Sequence, residues 1–298
     1  MQKRTLLIVC TFLLVSCTRH GALQPPEVLQ KSFEANQNLE SARFDLDTAF
    51  KGQTELMSGE FNGTLQANGT MQNGGKQIST DADIRVSRMD PNDQLNTLTL
   101  RGSMIVAAEN EVYVHVDAAS IEPKTELLSD ELIGKILNQW FLLAAGSGSL
   151  RTDDTVTADP SLLRMQSKVV KVTKDNGLET LNKKSAYYYD VTIDPALFAQ
   201  YMSSLPQQKN TTFPSATDFL TMSAKGKLWI DEETFFIHRI VWDITSTDPK
   251  HPSTVHIDIT FADQNAVDSP IAPPPSFSTF PTLRSSEVPV TSSSASSL

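Results

Sequence analysis

The chain carries few of the residue arrangements that support catalysis. Its five histidines never occur in the His-x-x-x-His spacing that places two zinc ligands on one helix face; they are His20, His115, His238, His251 and His256. Neither the Gly-x-Ser-x-Gly pattern of a nucleophile elbow nor the Gly-x-x-x-x-Gly-Lys pattern of a phosphate loop occurs. The sequence therefore predicts a protein that is not an enzyme and that holds no metal or cofactor.

The carboxylates and histidines that remain are better explained by strand and loop positions. Asp153-Asp154 and Asp231-Glu232-Glu233 stand in predicted loops, where charged side chains are expected to be solvated. His115 and His256 fall on the polar sides of predicted strands, which also indicates solvated rings. His238 falls on an apolar strand side and is predicted to be a hydrogen-bonded core histidine.

One cysteine stands at the end of a short apolar run and has a different chemistry. Lys3 and Arg4 form a positive start, Leu6–Val15 is apolar, and Ser16 is a small residue directly before Cys17. This order is typical of an export signal. The run is too short to cross a bilayer as a helix, which takes about 20 residues.

The four residues Leu14-Val15-Ser16-Cys17 resemble the bacterial lipobox. The resemblance implies that residues 1–16 are a cleaved lipoprotein signal peptide and that the Cys17 thiol receives a lipid. The alternative is an ordinary cleaved signal or a short anchor. A lipidated Cys17 would hold the protein on the outer side of the cytoplasmic membrane or in the outer membrane, with residues 17–25 as a short polar tether. Thr18 follows the cysteine, so nothing resembles an aspartate-based inner-membrane retention signal.

The amino-acid composition limits the kinds of partner and site that this chain can have. Loss of residues 1–16 would leave 23 basic and 35 acidic side chains, a formal net charge of −12. Nucleic acid is therefore excluded as a partner, because phosphate contacts need clustered lysine and arginine. Cys17 would be the last cysteine, so disulfides, a thiolate nucleophile and a cysteine metal site are not expected. The sequence identifies no protein partner.

Most of the chain alternates apolar and polar residues, as in antiparallel strands with one wet face. The alternation covers about 42–50, 61–71, 78–86, 97–106, 112–117, 186–193, 220–231, 235–245 and 254–262. Three helices are predicted over Glu27–Leu39, Ser129–Leu137 and Asp194–Ser204. From Asp268 onward proline and serine dominate, which predicts a disordered or extended tail.

These elements predict one α+β domain over residues 26–264, followed by a Ser/Pro-rich disordered tail over 265–298. Two or three helices cannot cover about ten strands laid flat. The sheet is therefore expected to be a strongly curved antiparallel β-sheet, a half-open barrel, with two to three helices packed on its concave face.

The order of elements resembles the lipoprotein-carrier (LolA/LolB-like) superfamily and the related mycobacterial LppX/LprG-type lipoproteins. The local matches are Asn138-Gln139-Trp140-Phe141-Leu142, and Gly226-Lys227-Leu228-Trp229-Ile230-Asp231 running into Ile237-His238-Arg239-Ile240. The resemblance implies a cavity between sheet and helices that binds acyl chains. The insert over Gly146–Asp159 and the tail are not features of these families.

The leading hypothesis is a membrane-anchored protein that binds a lipid or another apolar ligand, without catalysis. The candidate lining residues are Phe44, Leu46, Leu65, Ile84, Leu100, Met104, Val114, Trp140, Tyr189 and Trp242. The same pattern would also suit a dry packed core. The alternative function is therefore a structural or protein-interaction lipoprotein of the cell envelope.

Overall fold

The computed structural model describes residues 23–53, 60–89, 95–108, 111–123, 130–143, 168–204, 220–246, 248 and 252–279. The predicted signal peptide, Cys17, Asp153-Asp154 and the insert over 146–159 lie outside these ranges. The helices are α1 (Pro25–Gln37), α2 (Asp130–Ile136) and α3 (Pro195–Ser204). The strands are β1 (Ser41–Gln53), β2 (Glu60–Gln72), β3 (Gln77–Met89), β4 (Leu95–Ala108), β5 (Glu111–Glu122), β6 (Trp140–Leu143), β7 (Val170–Leu181), β8 (Lys184–Ile193), β9 (Met222–Asp231), β10 (Ile237–Ser246), β11 (Ser253–Ala262) and β12 (Ser278–Thr279).

All twelve strands join one curved sheet in the order β12-β6-β5-β4-β3-β2-β1-β11-β10-β9-β8-β7. Its two ends, β12 and β7, do not pair with each other, so the sheet does not close. Every pairing is antiparallel except that of β12 with β6. The prediction of a mainly antiparallel, curved and open sheet with a few helices is confirmed. The packing of the helices on a concave face stays a prediction.

The register separates the residues of the sheet onto two faces. In β1, Phe44, Leu46 and Phe50 are half-buried, while Asp45 and Asp47 between them are exposed. Because directly opposite residues share a face, the pairings extend one apolar face and one polar face from β6 to β7.

The strands also define two ends of the molecule. The tip end holds the pairs Gln53–Glu60, Met89–Leu95 and Ser246–Ser253. The base end holds the pairs Ser41–Gln72, Arg43–Ala262 and Ala186–Asp231. Tip end and base end lie one strand length apart, because β1 to β4 have 13 or 14 residues each at roughly 3.3 Å per residue.

Helix α1 begins where the sequence places its start. Pro25 and Pro26 occupy the first helical turn, where a proline costs no hydrogen bond. The Gln24 backbone N–H donates to Glu27, which closes a capping box. Val28 and Leu29 are buried in a cluster with Tyr189, Val191, Leu228 and Ile230 of β8 and β9. Helix α1 therefore packs on the apolar face. Among the described residues, no helix has the length and hydropathy to cross a bilayer.

The end of the described chain differs from the predicted disordered tail. Gln72 donates to the backbone oxygens of Val267 and Ser269 and accepts from the Ile271 N–H. Ser278 and Thr279 then pair with Phe141 and Leu142 as β12. Residues 265–279, here called the strap, thus cross the base end of the sheet from β11 to β6. Disorder stays a prediction for residues 280–298, which lie outside the described ranges.

Candidate ligand-binding face

Nine of the ten candidate lining residues lie on the apolar face. Leu65 stands opposite Ile84, which stands opposite Leu100, so these three form a row across β2, β3 and β4. Met104 stands opposite Val114, four residues further along β4 than Leu100. The same register places Phe44, Leu46, Trp242 and Tyr189 on this face through Phe261, Ile259, Ile257 and Leu228.

The tenth candidate, Trp140, lies on the polar face, so its prediction as a lining residue is wrong. It pairs with His115 of β5, and the two ring centres are 5.1 Å apart. The next residue, Phe141, stands opposite Val114 and is 4% exposed on the apolar face. The segment Trp140–Leu143 is apolar at every position, so only the strand register decides which side each residue takes.

Tyr189 lies on the apolar face but belongs to packed core. It is 0% exposed within the cluster that α1 covers. Its hydroxyl has no hydrogen-bond partner among the described residues, and burial, with the nearby Asp175 charge, raises its pKa. Such a side chain is poorly placed to contact a ligand that enters from solvent.

The rest of the apolar face is less covered than the α1 cluster. Phe44, Leu65, Ile84, Leu100 and Met104 are all half-buried, whereas Val28 and Ile230 of the cluster are fully buried. The face therefore has a dry part over β8 and β9 and a partly accessible apolar part over β1 to β5. The accessible part can bind an apolar molecule by removing its surface from water, at about 25 cal/mol per Å².

Aromatic rings of the apolar face lie over glycines of the neighbouring strand. Trp242 stands opposite Gly226, and a Cβ on Gly226 would meet the Trp242 ring at 2.5 Å. A Cβ on Gly69 would meet the Phe44 ring at 3.0 Å, again from the opposite residue. The rings thus occupy the space of the missing side chains and cover the backbone instead of projecting from the sheet. Sequence analysis did not identify this pairing, although glycines inside alternating strands were a visible signal.

The polar face carries a depression of about 610 Å³ that sequence analysis did not predict. Its charged lining residues are Asp45, Asp47, Asp81, Asp83, Arg101, Asp117 and Asp258. Several already have partners, since Ser103 donates to Asp81, Gln66 to Asp47 and Arg239 to Asp258. Among the described residues, no group of three or more acidic, histidine or cysteine side chains is arranged to hold a metal. The alternating aspartates of β1 and β3 were the available signal, and we assign no ligand to them.

The histidines differ in burial. His238 is 6% exposed and contacts Asp231 at 2.8 Å, which confirms the prediction of a core histidine. Asp231 itself is 3% exposed, so the prediction of a solvated carboxylate there is wrong. His256 is exposed, as predicted, and its ring contacts Asp243. His115 is half-buried between Trp140 and Asp117, against the prediction of a solvated ring.

No protein-family model matches this chain, and no curated protein matches it. Among solved structures, the chain is similar to the Mycobacterium tuberculosis lipoprotein LppX, with 14% identity and a TM-score of 0.41 over 83% of this chain and 100% of that chain. It is also similar to a DUF1329 family protein from Desulfovibrio piger, with 9% identity and a TM-score of 0.22 over 83% and 98% of the two chains. LppX is one of the mycobacterial lipoproteins that the sequence resemblance named. At these values the likeness says nothing about the function of this chain.

Proposed function

We propose that the protein is a membrane-anchored lipoprotein, without catalysis, that binds a lipid or another apolar molecule on the apolar face of its sheet. The observation that carries the proposal is the unequal cover of that face. One part is sealed by α1, while Phe44, Leu65, Ile84 and Leu100 stay half-buried over β1 to β4. A continuous apolar surface of this kind is what hydrophobic ligands bind.

The anchor in this proposal is a lipid on Cys17, with residues 1–16 removed. It would place the protein on the outer side of the cytoplasmic membrane or in the outer membrane, where it would take part in envelope lipid or lipoprotein handling. Several acyl chains at roughly 0.8 kcal/mol per buried CH₂ hold a protein firmly at a membrane.

The test is mass spectrometry of organic extracts from the protein purified after expression in a bacterial host, combined with titration of a fluorescent fatty acid. We expect a bound lipid in the extract and saturable uptake of the probe. Leu100→Asn changes the accessible apolar face at constant side-chain size and is expected to weaken probe binding about tenfold, since one lost apolar contact is worth about 1.5 kcal/mol.

The matched control is Thr99→Asn, the neighbouring residue, which is exposed on the polar face. It should bind the probe like the unchanged protein. If the extract holds no lipid and the probe does not bind saturably, lipid binding is excluded. Equal weakening by both substitutions would instead place the ligand away from the apolar face.

A further inference from the structure

One basic side chain departs from the division of the sheet into a polar and an apolar face. Among the described strand residues, the register places every arginine and lysine on the polar face with a single exception. The exception is Arg88 of β3, which follows Ile84 and Val86 on the apolar side of that strand. It precedes Met89, so it stands at the tip end of the accessible part of the apolar face.

The neighbours of Arg88 across the sheet form a partly polar corner. On β2 it stands opposite Phe61, whose ring centre lies 6.0 Å from that of Phe50. On β4 it stands opposite Asn96, and both Arg88 and Asn96 are half-buried. Each of the two already makes a contact within the protein. Because a guanidinium has five N–H donors and a carboxamide has two, this corner can keep such contacts and still donate to a ligand.

The face is apolar from Arg88 toward the base end. Strand β3 continues with Val86 and Ile84, and β4 runs beside it with Leu98 and Leu100; all four are half-buried. Ile84 lies four residues from Arg88, which is roughly 13 Å along the strand. One acyl chain spans about half of a hydrocarbon core, or roughly 15 Å. A lipid with its head group at Arg88 would therefore lay its chain along these two strands.

The charges of the apolar face indicate which head group fits. Among the described strand residues, the acidic side chain that the register places on this face is Asp175, on β7 at the far edge of the sheet, seven strands from β3. An arginine fork matches a carboxylate, since two parallel N–H groups can donate to its two oxygens. Such bonds are stronger where apolar neighbours lower the local dielectric constant. A head group with one negative charge therefore suits the one basic residue of this face.

We propose that the ligand of the apolar face is a long-chain fatty acid, whose carboxylate accepts hydrogen bonds from Arg88 and whose chain lies along β3 and β4 toward the base end. This inference rests on the proposed function. It adds the chemical class of the ligand and the direction in which the ligand lies.

The test compares two fluorescent probes of equal chain length, a fatty acid and the corresponding fatty alcohol, in titrations of the purified full chain. Arg88→Met nearly keeps the length of the side chain and removes its charge and donors. Arg85→Met is the matched control, because it removes the same charge from an exposed position on the polar face of the same strand. Binding of the alcohol reports whether each variant keeps a folded apolar face.

We expect the unchanged protein and Arg85→Met to bind the acid about tenfold more tightly than the alcohol, because the acid adds hydrogen bonds between charged groups. Arg88→Met should bind both probes with the affinity of the alcohol. Equal binding of the two probes by the unchanged protein, or an equal loss of acid binding in the two variants, would overturn the inference and leave the proposed function standing. A loss of both probes in Arg88→Met would also overturn it, since Arg88 would then support the face itself. If neither probe binds to the unchanged protein, the proposed function fails as well.

Discussion

Asp231 joins the turn between β9 and β10 to the buried ring of His238. Its Oδ1 accepts from the backbone N–H groups of Glu233 and Thr234, at 3.0 and 2.7 Å, and from the Thr234 hydroxyl at 2.9 Å. Its Oδ2 accepts from His238 Nε2 at 2.8 Å. Burial alone would raise the pKa of this carboxyl, but these hydrogen bonds outweigh burial and lower the pKa from 3.8 to about 2. The charged carboxylate is therefore the form that the fold stabilises.

Asp231→Asn should lower the free energy of unfolding at pH 7 by about 1.5–3 kcal/mol, since it removes a buried hydrogen bond to a charged group. A carboxyl with a lowered pKa in the folded state stabilises above its unfolded pKa, and that stabilisation is lost as the pH falls. The difference between variant and unchanged protein should thus be full above pH 4 and shrink as the pH falls toward 2. Urea unfolding at a series of pH values measures it.

Asp243→Asn is the control for this prediction. Asp243 makes the same kind of contact with His256, at 2.7 Å, but both side chains are exposed. Exposed pairs of this kind contribute roughly 0.2–1 kcal/mol or nothing. Equal losses in the two variants would show that the burial of Asp231 adds nothing to its effect.

At the scale of the strands, the glycine opposite Trp242 tests whether the flat ring is part of the fold. Gly226→Ala places a methyl group 2.5 Å from the Trp242 ring and 2.5 Å from the Val241 oxygen. Either the ring or the strand must shift, so we expect a loss of about 1–3 kcal/mol in stability and a changed tryptophan emission.

Gly134→Ala provides the comparison, because nothing lies within 4 Å of its added Cβ and the residue stands in α2. Alanine is better than glycine in a helix by about 0.5–1 kcal/mol, so this variant should be slightly more stable. Denaturant unfolding measures the change in the free energy of unfolding, which we expect to be a loss for Gly226→Ala and a gain for Gly134→Ala. A neutral Gly226→Ala would mean that the ring has room to move.

The strap is an element whose role can be tested by removing it. Asn265 accepts from the N–H groups of Glu40 and Ser41, and Gln72 binds the following residues. Deleting residues 267–298 removes the bonds of Gln72 and uncovers the β6 edge, and an open edge strand is prone to pair with other chains. We expect a lower melting temperature and a tendency to aggregate.

Deleting only residues 280–298 should leave the melting temperature unchanged, because β12 ends at Thr279. Light scattering and thermal unfolding of the two deletions, side by side, measure the contribution of the strap. If both deletions behave like the full chain, the strap does not stabilise the sheet.

The elements differ in how far the sequence predicts them. Strands β1 to β5 and β8 to β11 follow from local alternation, since each has its own apolar and polar side. Strand β7 was missed because the pattern of Val170 and Val172 is broken by two irregularities in its pairing with β8. The pairing of Ser278 and Thr279 depends on a contact with β6, far away in the sequence, and the side that Trp140 takes depends on its pairing with β5. Local pattern predicts an element, whereas its neighbours and register depend on the whole sheet.

At the scale of the whole molecule, the negative net charge opposes contact with an anionic membrane, whereas the proposed lipid on Cys17 favours it. Residues 17–298 carry a formal net charge of −12. Anionic lipid headgroups repel a protein with such a charge. Membrane attachment in the proposed function therefore depends on the Cys17 lipid.

Cys17→Ser tests the role of the anchor directly. The substitution removes the thiol that would receive the lipid and leaves the described fold untouched. We expect the variant to leave the membrane fraction and to show no binding to vesicles rich in phosphatidylglycerol, while it keeps its uptake of the fluorescent fatty acid. If Cys17→Ser stays with the membrane, the attachment has another cause, and the proposed lipid anchor is wrong.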